Sequence, residues 1–153
     1  MLSFYVHIPY CIKRCGYCDF NTYTPSELQD GATLEIVSGD YIDAVLKELE
    51  FAPTDQVPTT FFGGGTPSLI PPHDLGRVIT AIKARNGITD DCEITLEANP
   101  DSVTAEKLEG YIAAGFNRIS FGMQSTSTHV LKVLDRTHDP ENVKRAVDMA
   151  RAA

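Results

Sequence analysis

The sequence predicts an α/β fold with a parallel sheet, and three observations carry that prediction. A strand-like stretch followed by a helix-like one recurs four times, at about thirty residues per unit, the length of a strand with its helical crossover. Glycine, proline and asparagine punctuate the units where turns are needed. Each strand-like stretch also runs straight into an unusual polar or cysteine-bearing sequence, at the carboxyl end where such folds assemble their sites.

The elements follow in order. Residues 3–8 (SFYVHI) are rich in aromatic and branched side chains, and Pro9 ends them. A polar loop containing Pro25 and Gly31 leads to 40–51, where Tyr41, Val45, Leu46 and Leu49 share one helical face and Pro53 stops the helix. Residues 59–62 (TTFF) form a short buried strand ahead of Gly63-Gly64-Gly65. Residues 73–85 are amphipathic, with Leu75, Val78, Ile79 and Ile82 at helical spacing. Residues 92–98 alternate as a strand and end at Asn99-Pro100. In 104–115, Thr104 is an N-cap and Gly115 a C-cap. Residues 117–123 are a fourth strand, and 127–134 and 140–152 are helical.

This pattern fits either a doubly wound sheet or a (β/α) barrel. Four strands cannot close a barrel of six or eight, and the last helix stops where a further strand would start. Residues 1–153 are therefore expected to be the N-terminal part of a larger core domain.

Composition narrows the function. Net charge is −8, with 13 basic residues scattered among 21 acidic ones and no basic run, which argues against nucleic acid as a partner. Apolar runs are too short to span a bilayer, and the start MLSF lacks a signal peptide's basic and apolar regions. The expectation is a cytoplasmic, reducing location, where clustered cysteines serve metal or redox chemistry more often than disulfides.

Three of the four cysteines, Cys11, Cys15 and Cys18, fall in one loop with C-x3-C-x2-C spacing. Gly16 eases the turn between them. A cubane [4Fe–4S] cluster has four irons and usually four cysteine ligands, so three would leave one iron open to a small molecule. The alternative is a Cys3His zinc site completed by His7, although His7 lies inside a strand rather than in a second chelating turn. Cys92 reads as a small buried apolar residue, and Glu93 as a surface carboxylate. Asp19, His73, His129 and His138 read as structural or solvent-facing. GGGTPS (63–68) is not a phosphate-binding loop, because no Gly-Lys-Ser/Thr follows.

The C-x3-C-x2-C motif with Tyr17 before its last cysteine resembles the signature of the radical S-adenosylmethionine (SAM) superfamily. Together YVHIPYC, GGGTPS, LEANP and ISFGMQS resemble the coproporphyrinogen III dehydrogenase/HemW family along essentially the whole chain. That resemblance implies a partial TIM-type barrel of four βα units, a [4Fe–4S] cluster on Cys11, Cys15 and Cys18, and SAM on its open iron. The cofactor contacts implied are Tyr5, Tyr17, Gly64, Gly65, Thr66, Glu97, Gln124 and Arg136, with the glycine run giving the ligand backbone room and Arg136 pairing with its carboxylate. No catalytic residue is assigned.

The family's bacterial oxidative decarboxylases carry a further cysteine two residues after the third ligand and a long N-terminal extension. Here Phe20 stands at that position and ten residues precede Cys11. Both departures resemble the haem-chaperone branch, which implies haem as a ligand, transfer to an apo-haem protein, an electron donor, and membrane contact only through a membrane-bound recipient. The alternative function is an oxygen-independent coproporphyrinogen III oxidase acting on a porphyrinogen through a 5′-deoxyadenosyl radical.

Overall fold

Side-chain alternation sorts the strand residues onto two faces. The structure, a computed structural model, describes residues 2–28, 34–136 and 138–153; Gly31 of the first loop lies outside them. Strand β1 is Ser3–Ile8, β2 Val57–Gly64, β3 Ile88–Ala98 and β4 Arg118–Phe121. They form one sheet in the order β1-β2-β3-β4, and every pairing is parallel. Val6 pairs with Phe62, Phe62 with Leu96 and Leu96 with Ile119, so the apolar residues share a face. Tyr5, Phe61, Glu97 and Ser120 fall on the opposite face.

Helices cover the apolar face. α1 is Leu34–Leu49, α2 Pro72–Asn86, α3 Ala105–Ala114, α4 Thr128–Val133 and α5 Pro140–Ala152. α1 packs on α2, α2 on α3 and α3 on α5, a continuous row. The core between row and sheet includes Ile8, Phe62 and Leu96 from the strands and Ile42, Leu75 and Ile82 from the helices, all almost fully buried. A doubly wound sheet reverses its strand order at a switch point. This one does not, so the architecture is the wall of a (β/α) barrel, as expected.

Several boundaries move, for physical reasons. α1 starts at Leu34 rather than residue 40, because the buried Ser38 and Ile42 continue its packed face through Gly39. β2 starts at Val57 and runs into the glycines; Pro58, which cannot donate a ladder bond, sits where the register with β3 shifts. β3 begins at Ile88, its first residues disguised by Asp90 and Asp91. One-turn 3-10 helices at Pro25–Glu27, Pro67–Leu69 and Pro100–Ser102 were not legible beforehand.

The caps of α3 are as expected. Thr104 Oγ1 accepts from the Lys107 amide at 3.2 Å, and Gly115 turns left-handed at φ 109°. Among the described residues, no helix is long and apolar enough to cross a membrane.

Candidate functional site: a cysteine-lined cavity at the strand ends

The loop after β1 is closed at its base by backbone. Tyr10 bridges to Tyr23, Cys11 N–H donates to Tyr23 O at 3.0 Å and Tyr23 N–H to Pro9 O at 2.6 Å. Tyr10 is buried and donates its hydroxyl to Val37 O, and burial pushes its pKa up to about 12. Within the loop, Cys18 N–H turns back to Cys15 O at 3.0 Å, and Gly16 N–H reaches Leu134 O at 3.2 Å. All four cysteines are free thiols; Cys92 is buried on β3, apart from the loop.

The loop after β2 packs against this base. Gly65 N–H donates to Ile8 O and Thr66 N–H to Tyr10 O, both at 2.7 Å. A Cβ on Gly65 would lie 2.5 Å from Tyr10 O, and one on Gly64 would lie 2.5 Å from the His7 ring, on a backbone already at φ 108°. The glycines are therefore required first by the protein's own packing, and room for a ligand is secondary. They are not a flexible turn.

Glu97, near the end of β3, directs Oε2 to Gly64 N–H at 3.4 Å. Beyond β4, Gln124 holds a left-handed backbone at φ 55°, uncommon for a residue with a Cβ. Arg136 donates from Nη2 to Gly122 O at 3.0 Å and from Nη1 to Cys15 Sγ at 3.4 Å, while its Nε is buried without a partner.

These groups enclose a cavity of about 340 Å³. Cys11, Cys15 and Cys18 line it together with Tyr17, Gly64, Gly65, Thr66, Glu97, Gln124 and Arg136, so ten of the eleven expected residues share one wall-to-wall site. Tyr5 does not line it; it stacks on Phe61 on the open face of the sheet, with its hydroxyl 3.4 Å from His7 Nδ1. Burial pushes the Cys11 thiol up, partly offset by the hydrogen bond from Thr66 Oγ1 at 3.8 Å. Burial likewise raises the Tyr17 phenol.

Three thiols are the soft donors on the cavity wall. His7 Nε2 lies 2.9 Å from Asn21 O, and His7 does not line the cavity, so it does not complete a Cys3His site. Among the described residues, no three His, Cys, Asp or Glu side chains converge to hold one ion. Arg136 and Glu97 then offer a cation and an anion on the open side, apt for a ligand carrying both charges.

The sequence did not single out Asn99, Ser102, Gly122 or Asp135, which also line the cavity. Asp135 is left-handed at φ 55° and pairs with Lys13 across the opening at 3.0 Å. Asn99-Pro100 signalled a turn, but nothing local marked Asp135.

Comparison with known proteins agrees with this geometry. The model of the radical SAM superfamily matches residues 5–153. The chain is 40% identical over 153 residues to the heme chaperone HemW of Escherichia coli, covering 97% of this chain and 39% of that protein. It is 40% identical over 149 residues to mouse radical S-adenosyl methionine domain-containing protein 1, mitochondrial, covering 97% and 33%. Among solved structures it superposes on the coproporphyrinogen III oxidase HemN of Escherichia coli, described as a radical SAM enzyme, with a TM-score of 0.83 at 28% identity, covering 98% of this chain and 34% of that one. The chain thus spans roughly a third to two fifths of the relatives it matches. With three loop cysteines on one cavity at the strand ends and a family match over nearly its whole length, this chain belongs to the radical SAM superfamily.

Proposed function

We propose that the cavity binds a [4Fe–4S] cluster through Cys11, Cys15 and Cys18 and SAM on the open side, and that the protein is a haem chaperone passing haem to an apo-haem protein. The supporting observation is the meeting of the three free cysteines with Glu97, Gln124 and Arg136 around one cavity. Under this reading residues 1–153 form the N-terminal part of a larger radical SAM core, and the protein works in the cytoplasm.

When bound, a reduced cluster supplies an electron to the SAM sulfonium, and an external donor replenishes it. The chain's own residues do the holding. Arg136 takes the carboxylate through the guanidinium already anchored on Gly122 O. Glu97, tied to Gly64 N–H, offers an acceptor to the ammonium or ribose hydroxyls. Tyr17 lines the cavity beside the cysteines.

The chaperone reading is preferred for two reasons. The HemW relatives are 36% to 41% identical, and Phe20, which lines the cavity, stands where the oxidative decarboxylases carry an extra cysteine. The structural match to HemN favours a second reading, an oxygen-independent coproporphyrinogen III oxidase. Full-length protein, reconstituted without oxygen, separates them when given SAM, a strong reductant and coproporphyrinogen III. The chaperone reading expects no protoporphyrinogen by chromatography but haem binding by absorbance titration. Multiple turnovers would establish the oxidase instead.

A further inference from the structure

A lysine in the first turn of α3 sits where electrostatics oppose it. Lys107 is the third residue after the Thr104 cap, and the positive end of the helix dipole disfavours a cation there. It is half-buried, and burial alone depresses its pKa. Among the described residues, no carboxylate forms an ion pair with it. Its ammonium instead donates to Ser68 O at 3.1 Å and to Ser102 O at 3.2 Å.

Those two carbonyls lie on the segments that carry different walls of the cavity, Ser102 lining it and Ser68 buried behind it. Ser68, fully buried, follows the Gly64–Thr66 segment; Ser102 follows Glu97 and Asn99. The same junction is tied twice more: Asn99 N–H donates to Ser68 Oγ at 3.2 Å, and the Ser68 and Ser102 hydroxyls bond each other. From α3, the Tyr111 hydroxyl also holds the β2 loop, donating to Ser68 O at 3.1 Å and Ile70 O at 2.9 Å. Lys107 itself is not among the cavity's lining residues.

We propose that Lys107 is a positioning residue for the cavity: its ammonium clamps the loop after β2 to the loop after β3 and sets the spacing between the glycine wall and Glu97. This rests on the cofactor reading above for its consequence, not for its geometry. A charged donor shared by two carbonyls resists separation of the loops more than a neutral one. The dipole and desolvation costs at this position are offset by that bridge.

The test compares full-length wild-type protein with Lys107→Met, which keeps the apolar stem and removes the donors, and with Lys107→Arg. Amide exchange is followed by mass spectrometry on metal-free protein, then SAM affinity and iron content on reconstituted protein. For Lys107→Met, exchange in 66–70 and 99–103 should quicken about tenfold and SAM affinity fall about tenfold, at unchanged iron load. β1 should exchange as before, and Lys107→Arg should recover much of both effects. Unchanged exchange in the two loops would overturn the proposal. So would equal acceleration in β1 and α2, the mark of general destabilisation, or loosened loops with unaltered affinity. If wild-type protein takes up iron but does not bind SAM, the cofactor reading fails by itself, and the exchange result alone decides whether Lys107 clamps the loops.

Discussion

The glycine wall and the cysteine wall of the cavity are held in different ways. After β2, Gly65 and Thr66 spend their amides on Ile8 O and Tyr10 O, and the following residues lock to the β3 loop through Ser68 and Lys107. The cysteine loop is closed by backbone bonds at its base and held further out by single contacts such as Gly16 N–H to Leu134 O and Lys13 to Asp135, while Ile12 and Phe20 stand 70% and 62% exposed. One wall is finished by its own packing. The other presents thiols whose order would come from ligation, as in other sites where metal binding supplies folding energy. The division suits a site that must accept a bulky inorganic group and then present a rigid surface to a second ligand.

The sharpest way to break this contrast is at the cysteines. Alanine at Cys11, Cys15 or Cys18 should reduce iron from about four per chain to near zero after anaerobic reconstitution, with little change in the metal-free protein's urea midpoint. Unchanged iron in all three variants would remove the cluster.

The glycine wall should respond in the opposite sense. Gly65→Ala forces a Cβ to 2.5 Å from Tyr10 O and should cost about 2–4 kcal/mol in urea unfolding before any metal is added. Gly39 in α1 meets nothing within 4 Å, so Gly39→Ala should stabilise by up to about 1 kcal/mol. Equal effects would mean that the wall is not packed as described.

Between the walls lies Tyr10, whose pKa is raised to about 12 from 10.0, chiefly by burial. A raised folded-state value means the contribution is complete below pH 10 and disappears as pH rises through 12. Unfolding free energy should therefore fall across that window, and Tyr10→Phe should flatten part of the fall. The smallest effect is expected at Cys92, buried away from the cavity. Cys92→Ala should cost about 1 kcal/mol and leave iron content unaltered.

Much of this was legible in the sequence because it is local. The caps Thr104 and Gly115, the apolar spacing of α2 and the C-x3-C-x2-C loop each depend on neighbours within a few residues. Partners of Gly65, His7 and Lys107 lie beyond the reach of local patterns: Tyr10, Asn21 and Ser68. No sequence pattern announces that Gly65 must clear Tyr10 O, or that His7 turns to Asn21 O and away from the cysteines. Tyr5 is a mixed case. Its place in YVHIPYC suggested a cofactor contact; strand alternation puts it on the sheet face that also carries Glu97 and Ser120, stacked on Phe61 and just outside the cavity lining.

Everything proposed for the cavity depends on three cysteines leaving one side of a cluster open to SAM. The most direct test is the electron paramagnetic resonance spectrum of the reduced, reconstituted full-length protein, with and without SAM. A [4Fe–4S] signal that changes on adding SAM, and that Glu97→Gln weakens in its SAM response at the same iron load, is the predicted result. A cluster spectrum indifferent to SAM, or a colourless protein holding a single zinc, would contradict it.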